Sequence, residues 1–83
     1  MPELFRFFGF VFYFYSKEHE PIHVHVAGND GFAKFAYDED TKTFSLSESK
    51  NIKTLDMKKI RTVIDDNTDI IVNAWIKYFN KNV

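Results

Sequence analysis

The sequence contains no cysteine, so neither a disulfide nor a thiolate zinc centre can staple the fold. Two prolines and three glycines are too few for a linker, and there is no low-complexity tract or fixed-period repeat. Neither sign of charge dominates. Eleven basic side chains face twelve acidic ones, which argues against a dedicated polyanion binder. Long hydrophobic runs are also missing: the longest, residues 7–15, is nine residues counting Gly9, roughly half of the ~20 needed to span a bilayer as a helix. Its aromatic character, and the lack of a basic stretch in Met1, Pro2, Glu3 and Leu4, set it apart from a signal peptide. A cytoplasmic protein is expected.

What is present is aromatic. The 83 residues are 45% apolar and 18% aromatic, a composition that packs a core and fits one domain. A chain this short buries only about 60–65% of its unfolded surface, which leaves it marginal without reinforcement. Dense aromatic packing, oligomerisation, or a metal held by histidine and carboxylate are the remaining means.

The first half reads as strand and the second as helix. Residues 5–15 are almost wholly aromatic and β-branched, with apolar side chains on both parities, as in a strand covered on two faces. Gly9 marks a bulge or a division of the run into two segments. Residues 16–21 are a polar loop ending in Pro21. Residues 22–27 alternate cleanly, with Ile22, Val24 and Val26 on one side and His23 and His25 on the other. Gly28-Asn29-Asp30-Gly31 is a hairpin signal, followed by strands over 32–37 and 43–47 around the acidic turn Asp38-Glu39-Asp40. That turn lacks the spacing of a calcium loop.

From Thr54, a plausible N-cap, the period turns helical through Leu55, Ile60, Val63 and Ile64. A break is expected across residues 65–69. Ile71, Ala74, Trp75, Tyr78 and Phe79 form the clearest helical stripe. The fold class is α+β: a four-stranded antiparallel meander in the N-terminal half with two C-terminal helices on one face.

All three histidines fall in the segment Lys17-Glu18-His19-Glu20-Pro21-Ile22-His23-Val24-His25. His23 and His25 share a strand face, with Cβ atoms about 6–7 Å apart. That spacing suits two ligands of one metal, with His19 and Glu18 or Glu20 swinging in as further ligands; zinc, nickel or copper would accept imidazole. The same pair also suits metal-free acid–base catalysis on a phosphodiester, with Lys17 or Arg6 as the cation. The plain alternative is half-exposed strand histidines with no chemistry. Tyr13 and Tyr15 lie beside the loop, either bordering this site or packing at a strand end. Lys50, Lys53, Lys58, Lys59 and Arg61 are a basic stretch best read as a solvated face.

The segments Arg6-Phe7-Phe8-Gly9 and His19-Glu20-Pro21-Ile22-His23-Val24-His25-Val26 resemble the DUF4160 family of small bacterial proteins. Ile22 stands where family members have a second proline, and Asn73-Ala74-Trp75 where many have Asn-Trp. The resemblance points to Arg6, Gly9, His19, Pro21, His23 and His25. It implies a toxin–antitoxin-like module, with a DUF2442-like protein as partner. Two functions follow as expectations. One is an enzyme-like component acting on RNA or another phosphate-containing substrate through His23 and His25, helped by His19 and Arg6. The other is a non-catalytic interaction module, homodimeric or partner-binding, whose histidines are incidental or hold a structural metal. Self-association is expected under both, since a two-sided apolar strand needs cover.

Overall fold

The computed structural model describes residues 3–15 and 21–80. Five strands, β1 (Glu3–Phe7), β2 (Phe10–Tyr13), β3 (His23–Gly28), β4 (Gly31–Asp38) and β5 (Thr43–Lys50), precede two helices, α1 (Thr54–Asp66) and α2 (Thr68–Asn80). The strands form one antiparallel sheet in the order β1-β2-β3-β4-β5, so the α+β meander is present with five strands rather than four.

The extra strand comes from the aromatic run, which is a hairpin and not one strand. Phe8 and Gly9, at φ 54° and 82°, form a two-residue turn with both central residues in the left-handed region, the geometry that matches strand twist. Phe7 then lies opposite Phe10, and Phe5 opposite Phe12. Odd positions of β1 and even positions of β2 therefore share a face, and both aromatic parities of the linear run reach the same core. The two-sided strand disappears, and with it the reason given for self-association. A bulge does exist, but at Leu4, where two steps along β1 match one along β2.

A second two-residue turn, Asn29-Asp30 at φ 51° and 64°, joins β3 to β4 and fixes Gly28 opposite Gly31. The acidic turn closes β4 to β5: the Asp38 carboxylate accepts the backbone N–H of Asp40 at 2.8 Å, and Lys42 takes up φ 58°.

One sheet face packs against the helices. Phe12, Val24, Val26, Ala33, Phe35 and Phe44 meet Ile60, Val63 and Ile64 of α1 and Ile71 and Trp75 of α2, all buried. Trp75 holds an edge-on contact with Phe14 at 5.2 Å and lies 4.3 Å from Phe79 between centroids. Each fully buried Phe or Ile is worth about 1.5–3 kcal/mol over its exposed state, so this aromatic packing is a large contribution to the fold. The first helical stripe is narrower than its spacing suggests: Leu55 is 65% exposed, and the N-cap is Lys53 rather than Thr54. The expected break is one residue wide. The Asn67 side-chain amide donates to the Val63 carbonyl at 2.7 Å and the Thr68 hydroxyl to the Ile64 carbonyl at 3.0 Å, ending α1. The Asn67 carbonyl accepts the first bond of α2 from Ile71 at 3.0 Å. Among the described residues no helix is long and apolar enough to cross a membrane.

The two hairpins meet at one end of the sheet. A methyl group on Gly28 would stand 2.5 Å from the Gly9 carbonyl oxygen and 2.8 Å from the Phe10 ring, whereas one on Gly9 would meet nothing within 4 Å. In urea unfolding, Gly28→Ala should lose about 1–3 kcal/mol. Gly9→Asn, which tolerates positive φ, should lose less than about 1 kcal/mol. Equal losses would show that the close approach of the hairpins does not matter.

Candidate functional site on the open sheet face

Residues that pair directly across a sheet point to the same side. The register therefore builds rows on the face turned away from the helices. One row runs Glu3, Tyr13, His25, Lys34, Glu48, with one residue from each strand. Beside it, toward the hairpin tips, runs Arg6, Val11, Ala27, Phe32, Lys50. On the other side the register puts His23, Ala36 and Ser45, with His23 at the strand end where Trp75 of α2 reaches its ring.

His25 is the centre of the first row and is half-buried. Its ring stacks on Tyr13 at 5.4 Å and 24°, and meets Tyr15 edge-on at 4.4 Å. The Tyr13 and Tyr15 hydroxyls are 3.4 Å apart, and Tyr15 is 49% exposed. Lys34 is the direct cross-strand partner of His25, which puts their Cβ atoms about 4.5–5.5 Å apart. Lys34 forms no ion pair with any described residue. An imidazole, a lysine and an exposed phenol thus lie side by side on the open face.

His23 is a different kind of histidine. It is 7% exposed, its ring lies 5.1 Å from Trp75, and it stands at right angles to His25 at 5.2 Å. Nδ1 bonds the Pro21 carbonyl at 2.8 Å. A carbonyl only accepts, so Nδ1 carries the hydrogen and Nε2 is the basic nitrogen of the neutral ring. The neighbouring Ile22 is held by a 2.8 Å backbone bond from Tyr37 to its carbonyl. His23 thereby ties the histidine strand to the helix layer.

The other candidates separate from this pair. Arg6 shares the open face, but two strands across and two residues along from His25, about 12 Å between Cα atoms. Its guanidinium is engaged by Glu3 through two 2.9 Å hydrogen bonds. The bulge at Leu4 makes this possible, since it puts residues three apart on one side of a strand. His19, Lys17, Glu18 and Glu20 lie outside the described residues. Two imidazoles on one tetrahedral zinc, at Zn–N of about 2.0–2.1 Å, hold their centroids about 5 Å apart, which the His23–His25 separation matches. Among the described residues no three His, Cys, Asp or Glu side chains gather to hold a metal, so a third protein ligand would have to come from beyond them.

Lys34 is the residue that motif reading passed over. Its signal was in the hairpin: a two-residue turn pairing Gly28 with Gly31 necessarily pairs His25 with Lys34.

The family described as "Domain of unknown function (DUF4160)" matches residues 9–76. No curated protein and no solved structure matches the chain.

Two measurements test this geometry. The Arg6 hydrogen bonds and charge hold the Glu3 carboxyl below its ordinary value, so the ion pair stabilises the fold at neutral pH and ceases to as pH falls through that lowered value. Arg6→Gln should move the Glu3 side-chain NMR titration upward; an unmoved midpoint would contradict the pairing. In urea unfolding, His23→Ala should cost about 2–4 kcal/mol, because it empties a buried site against Trp75 and strands a carbonyl. His25→Ala should cost distinctly less, and the reverse order would overturn the division of roles.

Proposed function

The chain belongs to the DUF4160 family, whose description assigns no activity, and from the sheet face itself we propose that it binds and acts on a phosphate-containing substrate, with RNA as the class that fits best. The observation that carries this is the pairing of His25 with Lys34, with the exposed Tyr15 ring edge-on to His25. Lys34 supplies the cation for a phosphate, in the place where Arg6 or Lys17 was expected. His25 supplies an acid–base group working near neutral pH. Tyr15, with Phe32 at 37% exposure in the adjoining row, supplies aromatic surface on an open sheet, where unstacked bases of single-stranded RNA can lie. His23 acts through His25 by holding its ring edge-on and anchoring the strand. In a cell this is the profile of the active half of a toxin–antitoxin-like pair in the cytoplasm, controlled by a small partner such as a DUF2442-like protein.

A second reading, a non-catalytic interaction module, is favoured by one specific observation: Phe8 and Leu55 are 60% and 65% exposed at the end of the sheet away from His23. A structural metal on His19, His23 and His25 is compatible with either reading.

The test uses His25→Gln and Lys34→Ala, both checked for folding, and avoids the destabilising change at His23. Induced wild-type protein should arrest bacterial growth and bind a short single-stranded RNA, while both variants should relieve arrest. Lys34→Ala should also flatten the dependence of log affinity on log salt by about 0.7, the release expected for one phosphate contact on a single strand. Growth and RNA binding identical across wild type and variants would refute the proposal.

A further inference from the structure

The hairpin tip carries a residue that its backbone does not want. Position 8 sits at φ 54°, where Asn, Asp or Gly is at ease and a bulky aromatic is an outlier. The aromatic there contributes little to the core, being 60% exposed. It forms instead one wall of a shallow groove of about 210 Å³ with Leu55, Lys58, Lys59 and Thr62 of α1, and the Lys59 ammonium lies 5.3 Å from its ring centre. A strained aromatic displayed to solvent is the kind of outlier that points to function.

The charge around the groove says what would fill it. The near-zero net charge is an unequal distribution along the molecule. Lys50, Lys53, Lys58 and Lys59 outnumber Asp30 and Asp56 toward the end that holds the Phe8-Gly9 turn and the start of α1. Asp38, Glu39 and Asp40 lie at the opposite end of the sheet, where Asp65, Asp66 and Asp69 gather beside Lys42 and Thr43. An apolar floor between lysines fits an apolar side chain flanked by carboxylates.

We propose that the groove between Phe8 and Leu55 docks an acidic segment of a partner protein, with an apolar side chain of that segment seated between the two and its carboxylates on Lys58 and Lys59. This deepens the interaction-module reading and is independent of the His25 site, so the RNA assay and the following assay fail separately.

Two labelled synthetic peptides are the probes: one carrying a Leu-Phe pair between glutamates, and its twin with lysines in their place. Binding is read by fluorescence anisotropy and mapped by amide chemical shifts. The glutamate peptide should bind at least about tenfold more tightly than the lysine twin, with shifts centred on Phe8, Leu55, Lys58, Lys59 and Thr62. Phe8→Asn should keep or raise the melting temperature, because asparagine accepts the turn geometry, and should weaken binding about tenfold or more. The double change Lys58→Glu, Lys59→Glu should reverse the preference toward the lysine peptide. Failure of both peptides to bind, equal binding of the two, or undiminished binding by Phe8→Asn would overturn the proposal. So would single-stranded RNA shifting these same residues, or self-association of the chain alone that Phe8→Asn abolishes.

Discussion

Two short turns govern this molecule. In each, both central residues lie at positive φ, and each leaves its strands no freedom to slip. The Phe8-Gly9 turn inverts parity between β1 and β2, which brings Phe5 of β1 to the same core as Phe10, Phe12 and Phe14. The Asn29-Asp30 turn fixes β3 against β4, which sets Val24 and Val26 on that core and His25 beside Lys34 on the other face. A one-residue slip at the Asn29-Asp30 turn would turn His25 toward the core and Val24 and Val26 away from it. Core and site are two consequences of the same register.

The two turns differ in how readable they were. Asn29-Asp30 between glycines carries the composition its backbone needs, so the second hairpin, its alternation and its ends could be read from sequence. Phe8 defeats the same reading, since an aromatic in the left-handed region is what propensity argues against. The five-stranded sheet was therefore read as four. Leu55 was misread for a related reason: periodicity fixes which positions share a helix face, but not where the core ends, and Leu55 stands outside it. The helix break was legible because Asn67 and Thr68 bring side chains that satisfy the last carbonyls of α1. The histidines stood out by clustering. Lys34 did not, because a lone lysine signals nothing until the hairpin pairing is carried through.

The two histidines on β3 are chemically alike but placed for different work. His23 is locked from behind by Pro21 and flanked by Trp75, which fastens the strand end to α2. His25 stands half-exposed among Tyr13, Tyr15 and Lys34. A buried histidine supporting an exposed one is an economical way to hold an acid–base group still on a sheet with no deep cleft. Arg6, drawn into the same search by its charge, is held on the adjoining row by Glu3. The separation of basic and acidic ends leaves the open face itself of mixed sign, with Lys34 and Lys50 set among Glu3 and Glu48. Such a face favours short contacts with one or two phosphates over broad attraction to nucleic acid.

The central claim is that His25, Lys34 and Tyr15 form one ligand site. It is tested most directly by titrating isotope-labelled protein with a short single-stranded RNA and following amide and imidazole chemical shifts residue by residue. The account predicts the largest changes at Tyr13, Tyr15, His25 and Lys34, with smaller ones at Phe32 and none across the helix faces that line the core. Changes confined to the helices or to the Phe8 groove, or no change at saturating RNA, would contradict it.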